Sequence, residues 1–269
     1  MAERSQEGTA LVPSQAGSAS PQVELIKPFW TALLGPPWLV SLVFLAAVAA
    51  VRFFAVFSPY SLQEIFFLQV VAMWASPFFL LTPNGRREIG LVEPGMTALS
   101  MSLSALAGAA CGVVFFGLGM ILYGGSPNNW CISIRTYLHL DEMRGLMPPL
   151  SLFALYSVPA IFLNPVGEEI LFRGIIQQSF ARRFGAAFAT IASSLFFGLI
   201  YLYLHGLWRD ASGFHLRLGS AVVAVFLMAC LGAVFTLCRK LSGSLWPAMA
   251  AHAAFNLTVL AAAIHQFTH

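Results

Sequence analysis

The chain has 269 residues, 58% of them hydrophobic and only 9% charged, with a formal net charge of +3 and a mean hydropathy of +0.79. A soluble domain carries roughly a quarter charged residues, so a soluble globular enzyme is excluded. The excess positive charge lies in loops and no basic domain is present, which excludes nucleic-acid binding in favour of retention at an anionic membrane face.

Residues 1–27, rich in Ser, Gln, Gly, Pro and Glu, lack a basic region running into an apolar core and are expected to form a disordered cytoplasmic tail. Residues 28–269 are expected to form one membrane-embedded domain, an all-α, polytopic transmembrane helical bundle. Apolar runs fall at 36–57, 62–81, 96–123, 150–166 leading into 168–181, 185–207, 218–238 and 246–264. Each is near spanning length, so about seven spans are expected, within a range of six to eight. Pro36 and Pro37 suit the start of the first span, Pro59 separates it from the second, and Pro83, Asn84 and Gly85 close the second. Between the third and fourth spans, Tyr137, Leu138, Met143 and Leu146 suit an amphipathic stretch lying in the interface.

Lys27, Arg86–Arg87, Arg182–Arg183 and Arg239–Lys240 all fall on one side of a seven-span bundle, against Arg135, Arg144, Arg209 and Arg217 on the other, a bias that favours a cytoplasmic N-terminus. The small residues of Ser102–Gly112 read as tight helix packing. Cys111, Cys131, Cys230 and Cys238 lack the short spacing of a zinc site and read as small core residues. His139, His215, His265 and His269 read as surface residues.

The charges inside the spans carry the chemistry, because ionisable groups in lipid are costly without a task. Asn164 and Pro165 precede Glu168-Glu169-Ile170-Leu171-Phe172-Arg173-Gly174, and helical geometry is expected to restart there. Glu169 and Arg173 are one turn apart and can pair. Glu168 points about 100° away toward a neighbouring helix, free to handle a water. Two close carboxylates at low dielectric tend to raise one carboxyl pKa, as suits a general base. In the last span His252 and Asn256 lie one turn apart, able to donate to an oxyanion or orient a water. Tyr201 and His205 share a face in between and can look into one pocket.

The motif at Glu168–Gly174, an aromatic-rich span, and Gly243-Ser244-Leu245-Trp246-Pro247 followed by His252 and Asn256 together resemble the CPBP family of CAAX-protease and bacteriocin-processing (Abi-like) membrane proteins. The likeness spans about 86–262 and includes Arg86-Arg87-Glu88-Ile89-Gly90-Leu91. It implies a glutamic intramembrane endopeptidase similar to the type II CAAX endopeptidases, needing no cofactor or metal. Glu168 would activate water, Glu169 and Arg173 would support it, and His252 and Asn256 would stabilise the oxyanion. The middle motif of the family, Phe-x-x-x-His, aligns on Phe197 and puts Tyr201 where the histidine belongs, with His205 one turn further on. The implied partners are the lipid bilayer and a membrane protein or lipid-modified peptide as substrate, and the implied location is the bacterial inner membrane. Two other readings are open: a zinc protease using Glu168, His205 and His252, and a non-catalytic scaffold or immunity protein that keeps the polar core for packing. A transporter would need broken helices around a central site and a repeat that the sequence lacks.

Overall fold

The computed structural model describes residues 24–57, 63–91, 97–143, 145–210 and 213–268. Its elements are α1 (Pro28–Leu34), α2 (Pro37–Phe57), α3 (Gln63–Phe79), α4 (Pro83–Glu88), α5 (Ala98–Tyr123), α6 (Trp130–Tyr137) and α7 (Leu140–Met143). There follow a continuous helical run α8 (Pro149–Phe184), then α9 (Ala186–His205), strands β1 (Leu207–Asp210) and β2 (Gly213–Leu216), α10 (Leu218–Ser242) and α11 (Leu245–Thr268). Among the described residues, six helices, α2, α5, α8, α9, α10 and α11, are long and apolar enough to cross a membrane. The apolar part of α3, Phe67–Phe79, is shorter. The fold is therefore the helical membrane bundle that the hydropathy implies, with one short hairpin added.

Residues 1–23 of the expected tail lie outside the described residues. The last part of that segment is docked: Leu25 and Ile26 are buried, Ile26 bridges Leu81, and Thr82 N–H donates to the Leu25 carbonyl at 3.1 Å. The stretch between α5 and α8 does not span. It folds as α6 and α7, with Trp130, Cys131 and Leu140 buried against the core while Tyr137 and Leu146 stay exposed. The short antiparallel hairpin β1–β2, paired Leu207↔Leu216 to Asp210↔Gly213, was not visible in the periodicity. It packs on the end of α2, where the Phe214 ring lies 5.4 Å from Phe53.

Lys27, Arg182 and Arg239 gather at one end. Arg182 pairs with Glu88, Arg239 donates to the backbone carbonyls of Glu88 and Ile89, and Lys27 donates to the Phe78 carbonyl. Gly90, at φ +85°, lets this turn meet the α10–α11 corner: a Cβ there would stand 3.0 Å from the Gly243 carbonyl oxygen. Leu245 N–H donates to the Gly90 carbonyl across the same junction.

The small residues of α5 do pack tightly. Ser104, Gly108, Gly112 and Gly119 are buried on one face, and a Cβ on Gly108 would stand 1.8 Å from the carbonyl oxygen of Ala251 on α11. Small residues let two backbones approach where lipid supplies no hydrophobic drive for helix association. This approach fixes α11 one residue before His252.

The four cysteines are free. Burial pushes the Cys131 thiol, on α6, up to about 12, which keeps it inert. Cys230 is exposed on the bundle surface rather than in the core.

Candidate active site

The helix α8 carries the charged motif and does not restart at Asn164-Pro165. It runs through as two widened π segments, Pro159–Leu163 and Ile170–Ile176, separated by Asn164–Glu169. The first has a covalent cause. Asn164 N–H reaches back five residues to the Pro159 carbonyl, and Pro165 has no N–H to offer the next carbonyl, that of Ala160. Asn256 fills that gap: its Nδ2 donates to the Ala160 oxygen at 3.1 Å. Within the second segment, Ser193 on α9 donates to the Phe172 carbonyl at 2.8 Å.

The two glutamates separate as their spacing implies. Glu169 Oε1 accepts from Arg173 Nη1 at 3.0 Å, one turn along α8, and Arg173 Nη2 donates to the Gly232 carbonyl on α10 at 3.0 Å. Both side chains are 0% exposed. The guanidinium of Arg173 also lies over the Phe197 ring at 4.3 Å and the Phe235 ring at 5.2 Å, a cation–π cage that keeps the charge out of lipid.

Glu168, 1% exposed, reaches across the bundle instead. Its Oε1 pairs with Arg52 Nη2 of α2 at 2.6 Å, and its Oε2 accepts from the Tyr201 hydroxyl at 2.8 Å. The carboxylate is thus not free, as the sequence reading had it. Each glutamate has its own guanidinium, so the like-charge repulsion inferred from their adjacency is offset.

His252 joins the two acids. Its Nδ1 lies 2.9 Å from Glu169 Oε1 and its Nε2 3.8 Å from Glu168 Oε2. A carboxylate paired with Arg173 only accepts, so the hydrogen shared with Glu169 sits on Nδ1. In the neutral ring Nε2 is then a lone-pair acceptor. That Nε2 is buried without a hydrogen-bond partner, facing Glu168. The ring is fixed by stacking on Phe235 at 4.8 Å and by the edge of Phe197 at 5.5 Å.

Glu168, Glu169, Arg173 and His252, all buried, therefore form one cluster with the half-buried Tyr201, with Asn256 one turn beyond His252. His205 stands apart. Its ring stacks on Tyr201 at 6.0 Å and lies 5.5 Å from Phe115, and its Nδ1 has no partner. Tyr201, not His205, occupies the position next to Glu168. The zinc set of Glu168, His205 and His252 is not assembled, and among the described residues no group of three His, Cys, Asp or Glu side chains converges to hold a metal ion.

The sequence reading missed Arg52. An arginine five residues from the end of α2 reads as a snorkelling headgroup contact, and nothing local in the sequence marks its turn inward. The one available signal was its place inside an apolar span with no acidic residue of that span to pair with.

Residues 150–258 match the family model of the type II CAAX prenyl endopeptidases, described as Rce1-like. This part of the chain is CAAX-protease-like. The match covers α8, α9, α10 and most of α11, and with them the five side chains of the cluster, but not Arg52. It begins later than the 86–262 likeness read from the motifs, so the Arg86–Leu91 turn lies outside it. No curated protein and no solved structure matches the chain. The CAAX-protease-like segment, together with six apolar helices, supports a membrane protease acting on a membrane-associated substrate.

Proposed function

We propose that the chain is an intramembrane endopeptidase that hydrolyses a peptide bond with a water held between Glu168 and His252. The observation that carries this reading is the 3.8 Å separation of Glu168 Oε2 from the unpartnered His252 Nε2. A water touching both donates one hydrogen to each acceptor and leaves its lone pairs to attack a carbonyl carbon.

The tautomer moves part of the work from Glu168 to His252. The proton leaving the water passes to Nε2, and Glu169 behind Nδ1 holds the ring and balances the imidazolium, the role that a carboxylate plays behind an imidazole base. The imidazolium then returns that proton to the leaving amine. Glu168 fixes the water and adds a second negative charge beside the imidazolium. The second amide hydrogen of Asn256 is the donor left for the oxyanion, since the Tyr201 hydroxyl hydrogen is given to Glu168 Oε2.

The family match makes a prenylated CAAX peptide the first substrate to try; bacteriocin leaders and other surface-protein tails are the next. The basic end of the bundle faces the cytoplasm of a bacterial inner membrane, and the substrate segment enters from that leaflet. The test compares new protein termini in membranes carrying wild type and Glu168→Gln. Termini found only with wild type identify substrate and bond together, while identical termini contradict the proposal.

A second reading has its own support: Arg52 and Tyr201 occupy both oxygens of Glu168, as in a polar core kept for packing. A non-catalytic scaffold predicts unaltered function in Glu168→Gln and His252→Ala.

A further inference from the structure

Arg52 sits in a helix that otherwise reads PWLVSLVFLAAVAAV before it and FFAVF after it. An arginine placed there can extend to the nearby headgroups at little cost. It turns inward instead and is 1% exposed. Inside, Nη2 meets Glu168 Oε1 at 2.6 Å, and Nε donates to Gln69 Oε1 on α3 at 3.2 Å. Gln69 is steadied in turn by Met73, Nε2 to Sδ 3.6 Å.

The surrounding contacts are tight. Trp74 Nε1 donates to the Leu163 carbonyl at 3.0 Å, and a Cβ on Gly167 would stand 3.0 Å from Met73 Cβ. One stripe of α3, Gln69, Met73 and Trp74, thus lies against α8 beside Glu168 and holds the guanidinium from behind. The planar guanidinium presents its donors in a fixed fork, so anchoring Nε on Gln69 sets the direction of Nη2 and of the Glu168 carboxylate that it meets.

Charge accounting gives Arg52 its task. Arg173 is committed to Glu169 and the Gly232 carbonyl, which leaves Arg52 as the guanidinium that balances Glu168. With Oε1 tied to Arg52, Oε2 is the oxygen turned to Tyr201 and His252. We infer that Arg52, outside the family-matching segment, is a positioning residue that holds Glu168 charged and aimed at His252, making α2 and α3 part of the hydrolytic apparatus. The inference rests on the proposed hydrolase and deepens it.

The test measures kcat and KM separately on a farnesylated, fluorogenic CAAX peptide, using the full chain in proteoliposomes. Arg52→Gln is expected to lower kcat about a hundredfold with KM little changed, because a small misplacement costs rate rather than binding. Arg52→Lys, which restores the charge without the fork, is expected to recover about a tenth of wild-type kcat. Gln69→Leu leaves the ion pair in place and loosens its support; it is expected to lose about tenfold in kcat, and it stands in should Arg52→Gln fail to fold. Wild-type kcat in Arg52→Gln or in Gln69→Leu overturns the inference, as does an Arg52→Lys no better than Arg52→Gln. If Glu168→Gln is inactive while Arg52→Gln is not, the role of Arg52 alone falls. If Glu168→Gln cleaves at the wild-type rate, the hydrolase reading falls and the role of Arg52 with it.

Discussion

Asn256 on the last span donates its amide to the carbonyl of Ala160 at 3.1 Å, an acceptor that Pro165 leaves without its backbone donor. One side chain thereby ties α11 to the π segment just upstream of Glu168, and the hydrogen bond sets the distance between the two halves of the site. Replacing Asn256 by Leu removes the donor and strands a half-buried carbonyl, at a cost of about 1 kcal/mol. Thermal unfolding in detergent should show the loss, and Asn256→Leu should also lose cleavage. An unchanged unfolding temperature would remove the tie.

The approach of α5 to α11 at Gly108 leaves no room for a side chain. Gly108→Val forces the helices apart at Ala251, beside His252, and overpacking of this kind costs about 1–3 kcal/mol. Gly117, on the same helix, has nothing within 4 Å of where its Cβ would stand, so Gly117→Val serves as the control. The Gly108 variant should unfold at a lower temperature and lose activity, with the Gly117 variant close to wild type. Equal unfolding temperatures would contradict the close approach.

Tyr201 stands where the resembled family carries histidine and donates to Glu168 at 2.8 Å. Tyr201→Phe deletes the hydroxyl with the ring kept and frees Glu168 Oε2 from the bond that aims it, a misplacement expected to cost about a hundredfold in kcat. Tyr201→His supplies a donor again and should stay within about tenfold of wild type. Full activity in Tyr201→Phe would show that the hydroxyl takes no part.

Glu169 and Arg173 are both 0% exposed. Removing one partner of such a pair leaves an uncompensated charge and costs about 3–5 kcal/mol. Arg173→Met should therefore express poorly or unfold early, and the double variant Arg173→Met with Glu169→Leu should recover part of that stability while remaining inactive. Calorimetric or fluorescence unfolding of the two variants distinguishes a stability role from a catalytic one.

Much of this architecture could be read from local pattern. Spanning runs of apolar residues announce themselves because the bilayer forces every backbone group to bond within its own helix. The one-turn spacing of Glu169 and Arg173 sufficed to foresee their ion pair, and the small residues of α5 to foresee its close packing. What depended on contacts between distant segments was hidden. Arg52 meets Glu168 across 116 positions, and no local periodicity encodes that. The continuity of α8 through Asn164-Pro165 was also hidden, because the donor that compensates Pro165 comes from Asn256, 96 residues away from the carbonyl it satisfies. The hairpin β1–β2 is too short for a period-two signal to rise above its turn. The role of His252 depended on which ring nitrogen faces Glu169, a matter of packing around Phe235 and Phe197.

The most direct measurement is a double-mutant cycle in kcat for Glu168→Gln and His252→Ala on the farnesylated peptide. Groups that act on one water fail as a unit. Each single variant is expected to lose about a hundredfold or more, and the double variant no more than the worse single. Single variants that keep wild-type kcat, or losses that multiply in the double variant, would contradict a water shared by Glu168 and His252.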